Sequence, residues 1–280
     1  MRKLKTYSSF VKVEHTLFSL PLILSGSFLA ERGLPDIRVL ILIIIAAFGA
    51  RTSALGLNRI IDREIDKRNP RTKSRELPSG KISLWESYAV VGGGVLIYFI
   101  SAYFICNLAF YLSPIPLLVF TLYPYMKRFT SLCHFGVGLG LSLAPLGGWI
   151  AVTCSLYDLF PPILLSLFTF FWVSGFDIIY ATLDEEFDLQ SGIFSLTSRF
   201  GRKKALLISA ILHLFAFIAL VLLYFTEFRS IYAIVFLIIS GLLLFLEHKK
   251  SCDVDLAFFK VNAVLGFIVF FFVLSGIYLS

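Results

Sequence analysis

The chain has 280 residues, 58% of them hydrophobic and only 15% charged, with a net charge of +7. An ordinary soluble domain carries about 25% charged residues, and a single core of this length cannot hide so much apolar side chain behind a polar surface. A soluble enzyme and a disordered chain are both excluded. What remains is a polytopic membrane protein, in which 30 Phe, 12 Tyr and 3 Trp suit lipid-facing and interfacial positions.

A spanning helix needs about 20 mostly apolar residues, and nine such runs follow one another. They are expected at residues 16–30, 39–61, 84–105, 108–126, 132–152, 159–180, 205–225, 231–246 and 256–279. The first and eighth are short for a span, and only Cys106 and Asn107 mark the break between the third and fourth. Arg2, Lys3 and Lys5 before the first run resemble the start of a signal peptide, but eight further runs make a retained helix the expectation. No soluble domain is visible, so residues 1–280 are expected to form one transmembrane domain. Cys106, Cys133, Cys154 and Cys252 form no CxxC or CxxxC pair, and neither a disulfide framework nor a thiolate metal site can be read from them.

The basic residues sit in short breaks between apolar runs rather than in a polar domain, which argues against nucleic acid. All of the 25 Lys and Arg except Arg32, Arg38 and Arg229 belong to the N-terminus, to the breaks after the second, fourth, sixth and eighth runs, or to helix ends on that side. The bias predicts a cytoplasmic N-terminus and an outside C-terminus. The two long breaks, at about residues 62–83 and 181–204, then both face the cytoplasm.

Those two breaks carry the chemistry. The second run ends in Asn58-Arg59-Ile60-Ile61-Asp62, followed by Asp66; the sixth contains Asp177 and leads into Asp184 and Asp188. Asp62 and Asp66 are four apart, as are Asp184 and Asp188, and the two pairs are offset by 122 residues, or four runs. The echo predicts two related four-helix halves plus a ninth helix. On a continuous helix, side chains at i and i+4 are neighbours. Asn58, Asp62 and Asp66 are therefore expected in one polar stripe, and Asp177, Asp184 and Asp188 in another. Hard oxygen ligands at this spacing suit Mg²⁺, which takes one or two carboxylates together with phosphate oxygens. The alternative is solvated juxtamembrane charge. Against it stand the repetition and the start of both clusters within apolar runs, where an ionised group costs about 2.5–3.5 kcal/mol.

Arg51 follows the almost purely apolar stretch 40–50, seven residues before Asn58 on the same face, and fits either a buried carboxylate partner or a bound anion. Arg71, Lys73 and Arg75 follow the first cluster, and Lys127 and Arg128 end the fourth run. They read either as topology signals or as groups that neutralise a leaving diphosphate. His134, His213 and His248 show no ligand spacing and are assigned nothing.

These residues together resemble the UbiA-type intramembrane prenyltransferase family. Asn58, Asp62 and Asp66 match its first acidic motif. Asp177, Tyr180, Ala181, Asp184 and Asp188 match its second, and Arg51 matches the family's arginine seven residues before the asparagine. Residues 71–80 match its RTxxRxLPxG loop and 123–130 its YPxMKRxT turn. One departure is Arg59, where many members have Asp; with the 14–21 opening it resembles the 4-hydroxybenzoate polyprenyltransferase subgroup, some of whose members serve menaquinone synthesis.

The resemblance implies an all-α fold of nine transmembrane helices in a bacterial inner membrane. It implies Mg²⁺-dependent transfer of a polyprenyl group from polyprenyl diphosphate to the ring of an aromatic hydroxy-carboxylate of the 4-hydroxybenzoate type, or alternatively a dihydroxynaphthoate. Asp62, Asp66, Asp184 and Asp188 would then hold Mg²⁺, supported by Asn58 and Asp177, while Arg51, Arg71, Arg75, Lys127 and Tyr180 bind substrate. Two other classes fit less well. A secondary transporter places its acids near the midplane. A CDP-alcohol phosphotransferase needs a DGxxAR-type core, but here Arg63 follows Asp62 and Glu185 follows Asp184.

Overall fold

The computed structural model describes residues 2–12, 16–249 and 261–279. Among them it is helical, with no strand. A short helix α1 (Arg2–Phe10) precedes α2 (Thr16–Glu31), α3 (Ile37–Ile61) and α4 (Arg63–Arg68). Then come α5 (Leu84–Ile105), α6 (Asn107–Leu112), α7 (Pro114–Met126), α8 (Cys133–Thr153), α9 (Phe160–Ala181) and α10 (Glu185–Ser191). The chain ends with α11 (Leu196–Leu223), a π-helical turn at Tyr224–Phe228, α12 (Ile231–Lys249) and α13 (Asn262–Tyr278).

Seven helical stretches among the described residues are long and apolar enough to cross a membrane: α3, α5, α6 with α7, α8, α9, α11 with its π-turn, and α12. The other two expected runs are helical but shorter, α2 with 16 residues and α13 with 17. The expected start of the last run, Leu256, lies outside the described residues, as do Val13–His15 and Cys252. The break at Cys106 is a single extended residue (φ −170°, ψ 165°). Large apolar side chains such as Leu96, Leu118, Leu214 and Phe245 point outward and are exposed, the pattern of an integral membrane protein whose solvent is lipid. α11 starts nine residues earlier than its apolar run, because Ser195 caps it and a break at Gly201 (φ 76°) joins a polar first turn to the apolar span.

The centre of the bundle lies along α9, whose Leu165, Phe168, Trp172 and Val173 are buried. It packs between α8 and α11, and α3 packs on α5. α2 crosses from the first half to lie against α8 and α13, which closes the ring. The crossing of α2 and α8 is close. A Cβ at Gly26 would stand 2.0 Å from the Pro145 carbonyl oxygen, and one at Gly148 2.1 Å from that of Ile23. Small residues that let backbones touch are a usual route to helix association in lipid, where no hydrophobic force acts between helices.

The internal echo has a structural counterpart. α3 ends at Asp62 (φ −89°, ψ 4°) and α9 turns at Asp184 (φ −109°, ψ 4°); each turn opens a short helix, α4 or α10. Each short helix is followed by a left-handed glycine, Gly80 or Gly192, three residues before a serine that caps the next helix, Ser83 or Ser195. Both capping serines form reciprocal boxes, with Glu86 and with Ser198. The turns correct one expectation. Asn58, Asp62 and Asp66 do not share one unbroken helix, and neither do Asp177, Asp184 and Asp188, because the backbone leaves the helical path at the middle acid.

Candidate active site

A cavity of about 920 Å³ opens where the two acidic turns meet. It is lined by apolar groups such as Ile43, Ala47, Ala102, Phe120, Leu141 and Ile150, and by every site residue expected from sequence: Arg51, Asn58, Asp62, Asp66, Arg71, Arg75, Lys127, Asp177, Tyr180, Asp184 and Asp188. Its size lies within the usual range of ligand pockets.

At the first turn, Asp62 is 2% exposed. Its Oδ2 accepts from Lys127 Nζ at 2.6 Å and from Asn58 Nδ2 at 3.2 Å. Its Oδ1 is buried without a hydrogen bond, with Arg128 Nη2 4.0 Å away. Burial pushes the Asp62 carboxyl above the usual carboxylate range, against the pull of Lys127. Asp66, one turn on, takes both its oxygens to Arg75 Nη1 at 2.8 and 2.9 Å.

The second turn is joined to the first. Arg71, from the loop after α4, donates to Asp184 through Nε at 2.9 Å and through Nη2, and to the Tyr180 hydroxyl through Nη1 at 2.6 Å. Its guanidinium also covers the Tyr180 ring, 4.8 Å from the centroid. Asn69 Nδ2 reaches Asp184 at 2.8 Å. Burial acts to raise the Asp184 carboxyl, but Arg71 and Asn69 together hold it below its ordinary value. Asp188 differs: burial, with the neighbouring Asp184 charge, raises it to about 6, and the Ser195 hydroxyl, Lys127 and His134 only partly oppose this. Asp177 pairs with His134, Nδ1 to Oδ2, at 2.7 Å.

Arg51 stands seven residues, or roughly 10 Å, deeper along α3 than Asn58. Its buried Nε has no hydrogen-bond partner, and no carboxylate answers it among the described residues. Tyr123 lies against both Arg51 and Asn58. The unexpected Arg59 is turned away from the acids' role: it is 5% exposed and pairs with Glu76, Nη1 to Oε2, at 3.2 Å. Glu76 also accepts from Ser9 of α1 at 2.6 Å, and Phe10 and Val11 pack with Leu77 and Ile82. The N-terminal helix thus clasps the loop that carries Arg71 and Arg75.

Sequence reasoning missed His134, Asn69, Glu76 and Ser195. Spacing carries no signal for His134, Asn69 and Glu76, because each meets its partner across a large separation in sequence.

The fit to Mg²⁺ rests on donor chemistry. The set is all oxygen, apart from the arginine and lysine partners, and it includes the orphaned, buried Asp62 Oδ1. Among the described residues no three His, Cys, Asp or Glu side chains already converge on one point. That suits a cation held by one or two carboxylates and completed by water and phosphate oxygens.

Comparison with known proteins agrees with this geometry. The sequence profile of the UbiA prenyltransferase family matches residues 19–257. The 4-hydroxybenzoate octaprenyltransferase of Photobacterium profundum is 29% identical over 96% of each chain. That of Vibrio atlanticus is 31% identical over 75% of this chain and 74% of its own. The apo structure of a UbiA homologue from Aeropyrum pernix superposes with a TM-score of 0.85 at 32% identity, covering 93% of this chain and 97% of that one. A UbiA homologue from Archaeoglobus fulgidus, bound to GPP and Mg²⁺, shares the fold at a TM-score of 0.75 and 18% identity, covering 97% and 98%. A profile match over most of the chain, joined to paired acidic turns at one apolar cavity, means that this integral membrane protein belongs to the UbiA prenyltransferase family and is a prenyltransferase.

Proposed function

We propose that the chain transfers a polyprenyl group from polyprenyl diphosphate to the ring of an aromatic hydroxy-carboxylate of the 4-hydroxybenzoate type, releasing diphosphate, with Mg²⁺ as cofactor. The observation that carries the reading is the meeting of both acidic turns at the mouth of a single apolar cavity, where Arg71 and Asn69 reach across to Asp184. Relatives named for this acceptor support its class.

The residues divide the work by depth. The isoprenoid tail lies in the apolar part, where each CH₂ removed from water gains about 0.8 kcal/mol. The diphosphate sits at the mouth. Asp62, Asp66, Asp184 and Asp188, with Asn58 and Asp177 beside them, would hold Mg²⁺, whose charge would stabilise the leaving diphosphate. Lys127, Arg75 and Arg71, which now occupy Asp62, Asp66 and Asp184, are placed to shift onto phosphate oxygens when a cation takes the carboxylates. These ion pairs keep the clustered carboxylates from repelling one another. The Tyr180 ring and hydroxyl hold Arg71 in place meanwhile.

Heterolysis of the C1–O bond gives an allylic cation, shielded from water by the apolar walls. The acceptor ring attacks it ortho to the hydroxyl. A C–C bond forms, and the ring proton is lost as aromaticity returns. Arg51, below the diphosphate and free at Nε, takes the acceptor's carboxylate and sets which ring carbon faces the cation. The excess of Lys and Arg at the acid end supports a cytoplasmic active site and an outside C-terminus.

The test is product identification. Membranes holding the protein, given labelled polyprenyl diphosphate and Mg²⁺, are expected to prenylate 4-hydroxybenzoate and to stop when a chelator is added. Prenylation of a dihydroxynaphthoate in preference would move the acceptor assignment. Full activity after rigorous chelation would remove the metal. Arg51→Lys is expected to raise the acceptor KM about 10-fold or more, because an ammonium cannot form the bidentate contact. The KM for the prenyl donor should stay near wild type; a rise confined to the donor would assign Arg51 to diphosphate instead.

A further inference from the structure

His134 lies at the start of α8, is 3% exposed and touches the cavity edge. Both its ring nitrogens are engaged. Nε2 accepts the backbone N–H of Leu196 at 3.3 Å. A backbone amide can only donate, so Nε2 carries no proton and the ring's N–H is at Nδ1. That N–H points at Asp177 Oδ2, 2.7 Å away. The tautomer is thus set by the main chain at the first residue of α11, and the imidazole holds one oxygen of Asp177 in one direction.

The same contact reaches the other acid. Leu196 follows Ser195, whose hydroxyl lies close enough to Asp188 to favour its charged form. One imidazole therefore links Asp177, on α9, to the backbone of the 195–196 segment beside Asp188. Nothing in the sequence spacing marks this, since His134, Asp177 and Leu196 come from three helices.

We infer that His134 is a positioning residue for the second acid set, fixing Asp177 through Nδ1–H and the 195–196 segment through Nε2. The inference rests on the Mg²⁺-dependent reading above. His134 touches neither the donor nor the acceptor. It orients the acids, as ligand-holding partners in other metal sites do at a typical cost of about 10–100-fold in metal affinity when they are removed.

The test separates its two nitrogens. His134→Asn keeps an N–H donor near the Nδ1 position, His134→Gln keeps an acceptor near Nε2, and His134→Leu keeps neither. Mn²⁺ binding to the purified full chain, followed by electron paramagnetic resonance with inorganic diphosphate present, reads the cation without turnover. His134→Leu is expected to weaken Mn²⁺ binding about 10–100-fold, with His134→Asn recovering more of it than His134→Gln. The half-saturating Mg²⁺ for activity should shift in the same order, while the acceptor KM stays put. His248→Gln, in a buried polar group on α12 that does not line the cavity, is the control and should bind Mn²⁺ as wild type.

Wild-type Mn²⁺ binding by folded His134→Leu overturns the inference. So does an equal loss in His248→Gln, or a loss that Asn and Gln restore alike. If His134→Leu does not fold, the Asn–Gln contrast decides by itself. A normal His134 effect on Mn²⁺ binding in a protein that transfers no prenyl group would count against the reaction, not against the positioning role.

Discussion

Asp62→Asn, Asp66→Asn, Asp184→Asn and Asp188→Asn are each expected to lower kcat/KM by at least about 100-fold, equivalent to roughly 2.7 kcal/mol of transition-state stabilisation. The cause is loss of a cation ligand at the point where charge develops on the leaving diphosphate. Membrane insertion should persist, because these groups lie at the turns or in the short helices that follow them, outside the spans. Two neighbours serve as controls. Glu64 is exposed and pairs with Arg63; Glu185 accepts the Arg202 N–H at 3.0 Å, which a glutamine can also do. Glu64→Gln and Glu185→Gln should keep activity within about 3-fold, as surface changes usually shift stability by only about ±0.5 kcal/mol. Measured at matched protein level, equal behaviour of all six variants would show the acids to be solvated charges.

Asp188→Asn should also make the metal-free protein more stable at neutral pH. The folded chain holds the Asp188 proton up to about pH 6, whereas an ordinary aspartate releases it near 4. The folded state binds the extra proton, so this group's contribution to stability declines as pH rises from about 4 to 6. Above that window the ionised carboxylate stays largely buried, and Ser195, Lys127 and His134 offset only part of the cost. Asparagine removes that cost. The variant is expected to gain about 1–3 kcal/mol over wild type at pH 7.5, about a third of that at pH 4.5 and almost nothing at pH 3. Thermal unfolding in detergent with chelator present gives the comparison. A variant less stable than wild type at pH 7.5 would show that Asp188 is already charge-paired. Stability gained with activity lost is the mark of a residue kept for function.

Much of the architecture was legible because lipid imposes a simple rule: apolar runs of about 20 residues become helices. The expected break at Cys106 and the four-span offset of the acids both correspond to features of the fold. The helix turns at Asp62 and Asp184 were not legible. Neither acid is followed by glycine or proline, and an i/i+4 pattern reads as unbroken helix whether or not the chain turns. Ion pairs such as Arg71–Asp184 join residues 113 apart, so only the folded chain brings them together. The glycine–serine echo, Gly80 to Ser83 and Gly192 to Ser195, was present in the letters. It was hidden because two residues in a loop carry little signal until the backbone shows one to be left-handed and the other a cap.

The Arg59–Glu76 contact ties two positions into one heritable unit. Both side chains are largely buried, 6% and 14% exposed, and removing one member of such a pair typically costs about 3–5 kcal/mol. An acid at position 59 with Glu76 unchanged would crowd two carboxylates beside Asp66, whereas losing Glu76 alone would strand a guanidinium. A change from arginine to aspartate at position 59 therefore meets a barrier that a single substitution does not cross cheaply. A chimera that grafts the acidic helix end of one type onto the following loop of the other inherits the mismatch, and should be built with residues 59 and 76 moved together.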